Sequence, residues 1–151
     1  MQTRMRLCRV ASLLAVALGI VVLPYVVRAQ DSRQIEVARK LDYAGQSYAN
    51  QGFERTRTIP YGFGRAQSWT AEEVYLDADE KRLVGACDSY CGKLALELYA
   101  PGGSGVVDQA VGDDVASVRV RVGAPGTYTV RVWMTFCSAP PCRYGLAVYG
   151  R

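Results

Sequence analysis

Apolar and polar residues alternate strictly through much of the chain after residue 90. In residues 118–122 valines alternate with arginines, and the same period of two recurs over residues 94–99, 128–134 and 144–149. This alternation is typical of a β-strand that turns one face toward the core and the other toward water. Shorter runs at residues 73–77, 82–86 and 106–110 bring the prediction to about seven strands.

Turn-forming residues separate these runs. Glycine, proline and aspartate concentrate at residues 101–105, 112–114 and 123–126. Short strands joined by such turns favour an antiparallel β-sandwich, in which two sheets pack face to face. The sequence therefore predicts a mostly β domain over residues 69–151, with a jelly-roll or immunoglobulin-like arrangement.

The period changes to that of a helix over residues 32–51. Asp31 and Ser32 are suited to cap its start, and Gly52 is suited to end it. One apolar stripe recurs at helical spacing and consists of Val37, Leu41, Ala44 and Tyr48. We expect an amphipathic helix that packs on the β domain or acts as a spacer, because most such stripes are buried. A partner-binding helix is the alternative.

Residues 52–68 lack a regular period. Glycine and proline interrupt them repeatedly, which predicts an irregular connection between the helix and the β domain, so that residues 30–68 hold the helix and this connection. Aromatic residues and arginines are interleaved in it: Phe53, Arg55, Arg57, Tyr61, Phe63 and Arg65. Such a mixture can stack on a sugar or a peptide. Alternatively, these side chains can pack beneath the β-sandwich and close it.

Outward aromatic residues of the predicted sheets, such as Trp133 and Tyr99, form a second candidate binding surface. Trp133 has an alternative role, in which it packs the sheet face against the N-terminal helix. The predicted binding surface therefore combines the aromatic–arginine segment with Trp133.

The first 29 residues have the three parts of a secretory leader. Arg4, Arg6 and Arg9 provide a positive start, and an apolar run follows over residues 10–27. We expect cleavage after Ala29, which places the mature protein in the periplasm or outside the cell, without stable membrane insertion. A retained membrane anchor is the alternative, although the apolar run is at the short end of what spans a bilayer.

Removal of the leader changes the charge of the protein. The whole chain has 18 basic and 14 acidic residues, a formal charge of +4. Four basic residues and no acidic ones lie in the leader, so the mature chain is neutral. This removes the composition argument for nucleic acid or an anionic membrane as a partner, because such binding needs a net positive face.

Four cysteines remain in the mature chain: Cys87, Cys91, Cys137 and Cys142. An even number in an exported protein indicates two disulfides. Three pairings are possible, and the local ones are favoured because each close pair flanks a turn-like stretch. A zinc site made from the same thiols is the alternative, but its spacing is unusual and the compartment is oxidising.

The chain contains no histidine, which excludes the usual hydrolase triads and histidine-ligated zinc. Phosphate-binding glycine motifs are also missing from the sequence. Carboxylates remain as candidate chemistry, and Asp88 and Asp108 are weak candidates for calcium or for the catalytic pair of a small hydrolase. Aspartates are common in turns, however, so we expect no cofactor and no catalytic residue.

Residues 74–150 resemble the bacterial pre-peptidase C-terminal domain, in the branch that carries two close cysteine pairs. The matching residues are 84–88, Cys91, 94–99, 101–103, 106–108, 126–132, Cys137 and 141–145. The resemblance implies a β-sandwich that serves as an accessory domain without catalysis of its own. Many relatives carry Asp-Leu-Asp-Leu where this chain has Lys-Leu-Ala-Leu at residues 93–96, so both acidic positions are lost.

These observations predict an exported, non-catalytic accessory or binding protein of the pre-peptidase C-terminal type. Its expected partner is an unidentified protein or polysaccharide of the cell envelope. A calcium-dependent carbohydrate-binding module and a small carboxylate-based hydrolase are the alternatives.

Overall fold

The computed structural model describes residues 32–103 and 105–151, apart from the side chains of Pro60 and Tyr61. Arg33–Arg151 form one compact unit. The predicted leader, with its cleavage site, lies outside the described residues. Within the described part of the chain, no helix is both long enough and apolar enough to cross a membrane.

Within the described residues, the helix α1 (residues 32–49) precedes eight strands. The strands are β1 (Glu54–Gly64), β2 (Trp69–Leu76), β3 (Asp79–Cys87), β4 (Cys91–Tyr99), β5 (Val106–Gly112), β6 (Val115–Val122), β7 (Gly126–Cys137) and β8 (Cys142–Gly150). They form two four-stranded sheets, with the orders β1-β8-β3-β6 and β2-β7-β4-β5. Every pairing is antiparallel. The predicted β-sandwich with an N-terminal helix is therefore confirmed.

The strand beyond the predicted seven is β1, so the prediction of an irregular connection at residues 52–68 is wrong. β1 pairs with β8 from Glu54 to Gly64. Two register shifts break its alternation, and this is why no period of two is visible in the sequence. As the edge strand of its sheet it also tolerates Pro60, because one side of the strand has no neighbour to receive an N–H.

Gly62 and Gly64 in β1 reflect close packing rather than a loop. A Cβ on Gly62 would collide with the ring of Tyr144, and one on Gly64 would lie 2.6 Å from Cε of Met134. Each glycine therefore gives room to a large side chain of the core.

The main core lies between the two sheets. Its centre consists of side chains with no exposed surface, among them Leu83, Leu94, Leu96, Leu98, Val130 and Leu146. These residues occupy the inward positions of the alternating runs, so burial of their apolar surface holds the two sheets together.

A second, smaller core joins α1 to the outer face of the β1-β8-β3-β6 sheet. Val37 and Leu41 of the helix pack there with Val84 and Tyr149, and Phe53 closes the cluster. The expectation that the helix packs on the β domain is confirmed. The β2-β7-β4-β5 sheet thus keeps its outer face free of α1.

Both disulfides have the local pairing that the sequence favoured. Cys87 is bonded to Cys91, with their Cα atoms 6.2 Å apart, and Cys137 to Cys142, with their Cα atoms 5.7 Å apart. The first joins β3 to β4 and the second joins β7 to β8. Each bridge therefore links one sheet to the other, at the same end of the sandwich.

Candidate binding surface on the open sheet

The outer face of the β2-β7-β4-β5 sheet, here named the open face, carries an apolar row across all four strands. Trp69 lies opposite Trp133, Trp133 opposite Ala95, and Ala95 opposite Val111. Trp69 is 48 % exposed and Val111 is 69 % exposed. Trp133 is partly exposed and Ala95 is buried, so the exposed part of the row consists mainly of Trp69 and Val111. An exposed apolar patch can mark an interaction surface.

The two tryptophans form the centre of this row. Their ring centroids are 5.9 Å apart and the ring planes differ by 30°. Because they occupy directly opposite positions on β2 and β7, the strands fix both backbones, and the pairing of the rings limits their rotation. The result is an aromatic surface in which Trp69 is half exposed and Trp133 is partly exposed.

A polar row lies next to the tryptophans, one step along the same strands. Glu97 of β4 lies opposite Arg131 of β7. The guanidinium of Arg131 lies 4.5 Å from the ring centroid of Tyr99 and donates to its hydroxyl at 3.1 Å. The Tyr99 hydroxyl in turn donates to Oε2 of Glu97 at 2.7 Å.

Tyr99 keeps its proton in this network. The hydrogen bond to Glu97, followed by burial, raises the pKa of Tyr99. The row therefore presents a neutral phenol between one cation and one anion. It supplies both hydrogen-bond donors and acceptors without net charge.

Trp133 lies on the open face and packs on Trp69. The alternative interpretation, packing against the N-terminal helix, is wrong, because α1 packs on the other sheet. Tyr99, its companion in the sequence prediction, lies on the same face. Sequence reasoning missed Trp69, whose partner is revealed only by the pairing of β2 with β7.

The aromatic–arginine segment does not form one surface. Phe53 is only 2 % exposed and belongs to the second core, so its assignment to a binding surface is wrong. Arg55 links α1 to β8, because it forms an ion pair with Asp42 at 2.8 Å and donates a hydrogen bond to the hydroxyl of Tyr149 at 2.9 Å.

The remaining members of that segment are dispersed along β1 and the turn after it. Arg57 and Arg65 are exposed. Phe63 is exposed too, and the guanidinium of Arg143 lies 4.5 Å from its ring centroid. The side chain of Tyr61 lies outside the described residues.

Asp88, one of the two calcium candidates, holds the backbone of a turn. It has no exposed surface. Its Oδ2 accepts a hydrogen bond from the backbone N–H of Arg143 at 2.9 Å, and its Oδ1 accepts one from that of Tyr90 at 3.1 Å. The guanidinium of Arg33 lies 3.9 Å away.

Asp108 lies far from Asp88. It is opposite Leu98, near the end of β4, whereas Asp88 precedes the start of β4 at Cys91. At the rise of a β-strand the seven steps between Cys91 and Leu98 span about 23 Å. The fold therefore does not bring the two carboxylates together as a metal site or as a catalytic pair.

Asp108 has a structural partner of its own. Its Oδ2 accepts a hydrogen bond from the backbone N–H of Arg119 at 2.7 Å, which links β5 to the edge strand of the other sheet. Among residues 32–103 and 105–151, no three histidine, cysteine or acidic side chains are grouped so that they could hold a metal ion.

No family model matches the chain, and no curated protein matches it. A similar solved structure is that of PliG from Aeromonas hydrophila, described as a periplasmic lysozyme inhibitor of g-type lysozyme. The identity is 15 %, the match covers 64 % of this chain and 87 % of PliG, and the TM-score is 0.47. A likeness of this degree supports no statement about function, and the resemblance to the pre-peptidase C-terminal domain stays a prediction.

Proposed function

We propose that the protein is an exported, non-catalytic binding protein whose open face binds a neutral polysaccharide of the cell envelope. The observation that carries the proposal is the pair formed by the exposed Trp69 and the partly exposed Trp133, held in register on two neighbouring strands. The ring of Trp69 stays half open to water although its burial would be favourable, which an interaction surface would explain.

The shape of the tryptophan pair fits a sugar chain. A pyranose ring has an apolar face of C–H groups, which packs on an aromatic ring, and a rim of hydroxyl groups. The apolar row continues from the tryptophans across Ala95 to Val111. It is therefore long enough to contact more than one sugar unit across the width of the sheet.

The polar row supplies partners for the hydroxyl rim. Arg131, Tyr99 and Glu97 offer donors and acceptors beside the tryptophans, and the two charges offset each other. Buried or half-buried polar groups at fixed positions give orientation and specificity to an apolar site. The absence of net charge in this row favours a neutral ligand over an acidic one.

Two further features support the non-catalytic and exported parts of the proposal. The carboxylates of Asp88 and Asp108 are separated and bound to backbone N–H groups, so they are not poised for acid–base chemistry. The two disulfides are typical of an oxidising compartment, such as the periplasm or the medium. An accessory domain of the pre-peptidase C-terminal type would have both properties.

Tryptophan fluorescence provides a direct test, because Trp69 and Trp133 are the only tryptophans of the chain. The purified protein is titrated with neutral soluble polysaccharides, namely a β-glucan, a xylan and a galactomannan, and with neutral polysaccharide extracted from the envelope. We expect a saturable change in emission with at least one of them. The same titration in excess EDTA should be unchanged, which separates this proposal from a calcium-dependent module.

Matched variants connect the signal to the open face. Trp69→Ala should weaken binding by about tenfold or more, measured by affinity electrophoresis or calorimetry. Tyr43→Ala removes an exposed aromatic side chain from α1 and should leave binding unchanged. Retention of envelope proteins by the open face, without binding of any polysaccharide, would overturn the choice of ligand.

A further inference from the structure

Four arginines form a cluster on the outer face of the β1-β8-β3-β6 sheet, beside the part that α1 covers. Arg82 of β3 lies directly opposite Arg119 of β6, and Arg121 lies opposite Glu80. Arg151 joins them, because its guanidinium donates to Oε2 of Glu80 at 2.7 Å. We name Arg82, Arg119, Arg121 and Arg151 the arginine cluster.

The side chains around the arginine cluster do not neutralise it. Glu80 is buried and is shared between Arg119 and Arg151. Among residues 32–103 and 105–151, Arg82 and Arg121 form no ion pair with a carboxylate. Of the four guanidinium groups, those of Arg119 and Arg151 are paired with Glu80, whereas the carboxylate of Asp108 accepts from the backbone N–H of Arg119.

This arrangement is unfavourable for the fold alone. Like charges that lie directly opposite each other on neighbouring strands destabilise a sheet. The rings of Tyr48 and Phe53 lie 5.7 and 5.8 Å from the guanidinium of Arg82, but its Nε is buried without a hydrogen-bond partner. A bound anion would relieve this repulsion.

An anion can reach the arginine cluster from solvent. The side chains of Arg119 and Arg151 are 51 % and 47 % exposed, and Arg121 is exposed. Arg151 also donates to the carbonyl oxygen of Gln51 at 3.3 Å and packs on the ring of Phe53. Glu80 and Gln51 still occupy only part of the hydrogen-bonding capacity of Arg119 and Arg151, since each guanidinium carries five N–H donors. Several donors on adjacent positions thus remain available on one face.

We propose that the arginine cluster binds the phosphate group of a phosphorylated compound. A phosphomonoester carries a charge near −2 at neutral pH and three acceptor oxygens, so it accepts hydrogen bonds from several guanidinium groups at once. Planar guanidinium groups match this geometry better than lysine ammonium groups do. The site is on the opposite face of the sandwich from the tryptophan pair and does not depend on the polysaccharide proposal.

Calorimetric titration of the purified protein with sodium pyrophosphate and with glucose 1-phosphate tests the proposal, at constant ionic strength set with sodium chloride. We expect saturable binding and a rise in melting temperature that chloride does not produce. Arg121→Gln should weaken binding about tenfold or more. This variant is chosen because Arg121 has no ion pair to lose, so its fold should be unaffected.

Arg65→Gln serves as the matched control, because Arg65 is exposed and lies outside the arginine cluster. Binding that is equal in Arg121→Gln and Arg65→Gln, or no binding by the unmodified protein, would overturn the proposal.

A second experiment uses vesicles that contain phosphatidic acid. Vesicle binding that Arg121→Gln abolishes assigns the phosphate to a lipid headgroup, whereas binding of the soluble compounds alone assigns it to a soluble molecule.

Discussion

The hydroxyl of Tyr149 lies in the space that a side chain at position 45 would occupy. A Cβ on Gly45 would come within 2.6 Å of Tyr149 Oη. That hydroxyl donates to the carbonyl oxygen of Leu41 at 2.9 Å and accepts from Arg55 at 2.9 Å. α1 therefore approaches β8 this closely because position 45 has no side chain, and the hydrogen bonds prevent Tyr149 from moving aside.

Gly45→Ala should lower the free energy of unfolding by about 1–3 kcal/mol, because the added methyl group overpacks a filled site. This outcome is opposite to the gain of up to about 1 kcal/mol that alanine gives in an exposed helix. Urea unfolding measures the difference. In a Tyr149→Phe background the same change should cost less, and equal costs in both backgrounds would contradict the proposed clash.

Loss of either disulfide should destabilise the protein by about 2 kcal/mol, since each bridge closes a short loop in the unfolded chain. The paired substitutions Cys87→Ser with Cys91→Ser, and Cys137→Ser with Cys142→Ser, test this by urea unfolding. Mass spectrometry of the unmodified protein from the envelope should find no free thiol among these four residues. Four free thiols would contradict both bridges.

Asp88→Ala should lower the free energy of unfolding by about 1–3 kcal/mol, because two backbone N–H groups lose their acceptor. The hydrogen bond from the backbone N–H of Arg143 is buried. Asp113→Ala is the matched control, since Asp113 is an exposed turn residue, and its effect should stay within about 0.5 kcal/mol. Thermal or urea unfolding measures both. Equal effects would show that Asp88 has no special structural role.

Calcium should leave the melting temperature unchanged. The reason is geometric, because Asp88 and Asp108 lie next to opposite ends of β4. The carboxylate oxygens of both residues accept hydrogen bonds from backbone N–H groups. A thermal scan with calcium at millimolar concentration, compared with one in EDTA, is sufficient. A clear rise of the melting temperature in the presence of calcium would restore the calcium-dependent module as an interpretation.

Alkaline pH should destabilise the protein through Tyr144. Burial, followed by the hydrogen bond to Glu72 at 2.6 Å, raises the pKa of Tyr144 in the folded state. The folded protein therefore holds this proton more tightly than the unfolded chain, in which a tyrosine has a pKa of about 10. Its contribution to the free energy of unfolding is complete below about pH 10 and is lost as the pH rises above that value.

Urea unfolding between pH 8 and pH 11 measures this loss. Tyr144→Phe should be less stable than the unmodified protein at pH 8, because it lacks the hydrogen bond to Glu72, but its stability should fall less steeply above pH 10. Tyr43→Phe changes an exposed tyrosine and should follow the unmodified protein. Parallel curves for Tyr144→Phe and the unmodified protein would contradict the assignment.

Periodicity was sufficient to predict the sandwich and most of its strands. In β6 and β7 a strict period of two marks the inward positions, such as Val118 and Val130, because one face of each strand is buried and the other is wet. The same reasoning failed for β1. Its register shifts and its glycines, which give room to Tyr144 and Met134, erase the period that identifies a strand.

The sequence by itself determined the local features: the alternating strands, the helix with its apolar stripe, and the cysteine pairs that are close along the chain. Only the tertiary structure decided which sheet face α1 covers, and therefore that Trp69 and Trp133 share an open surface. It likewise brought Arg82 next to Arg119, which lies far along the chain. Strand order and register create such neighbours, and neither is encoded in the local pattern of a single strand.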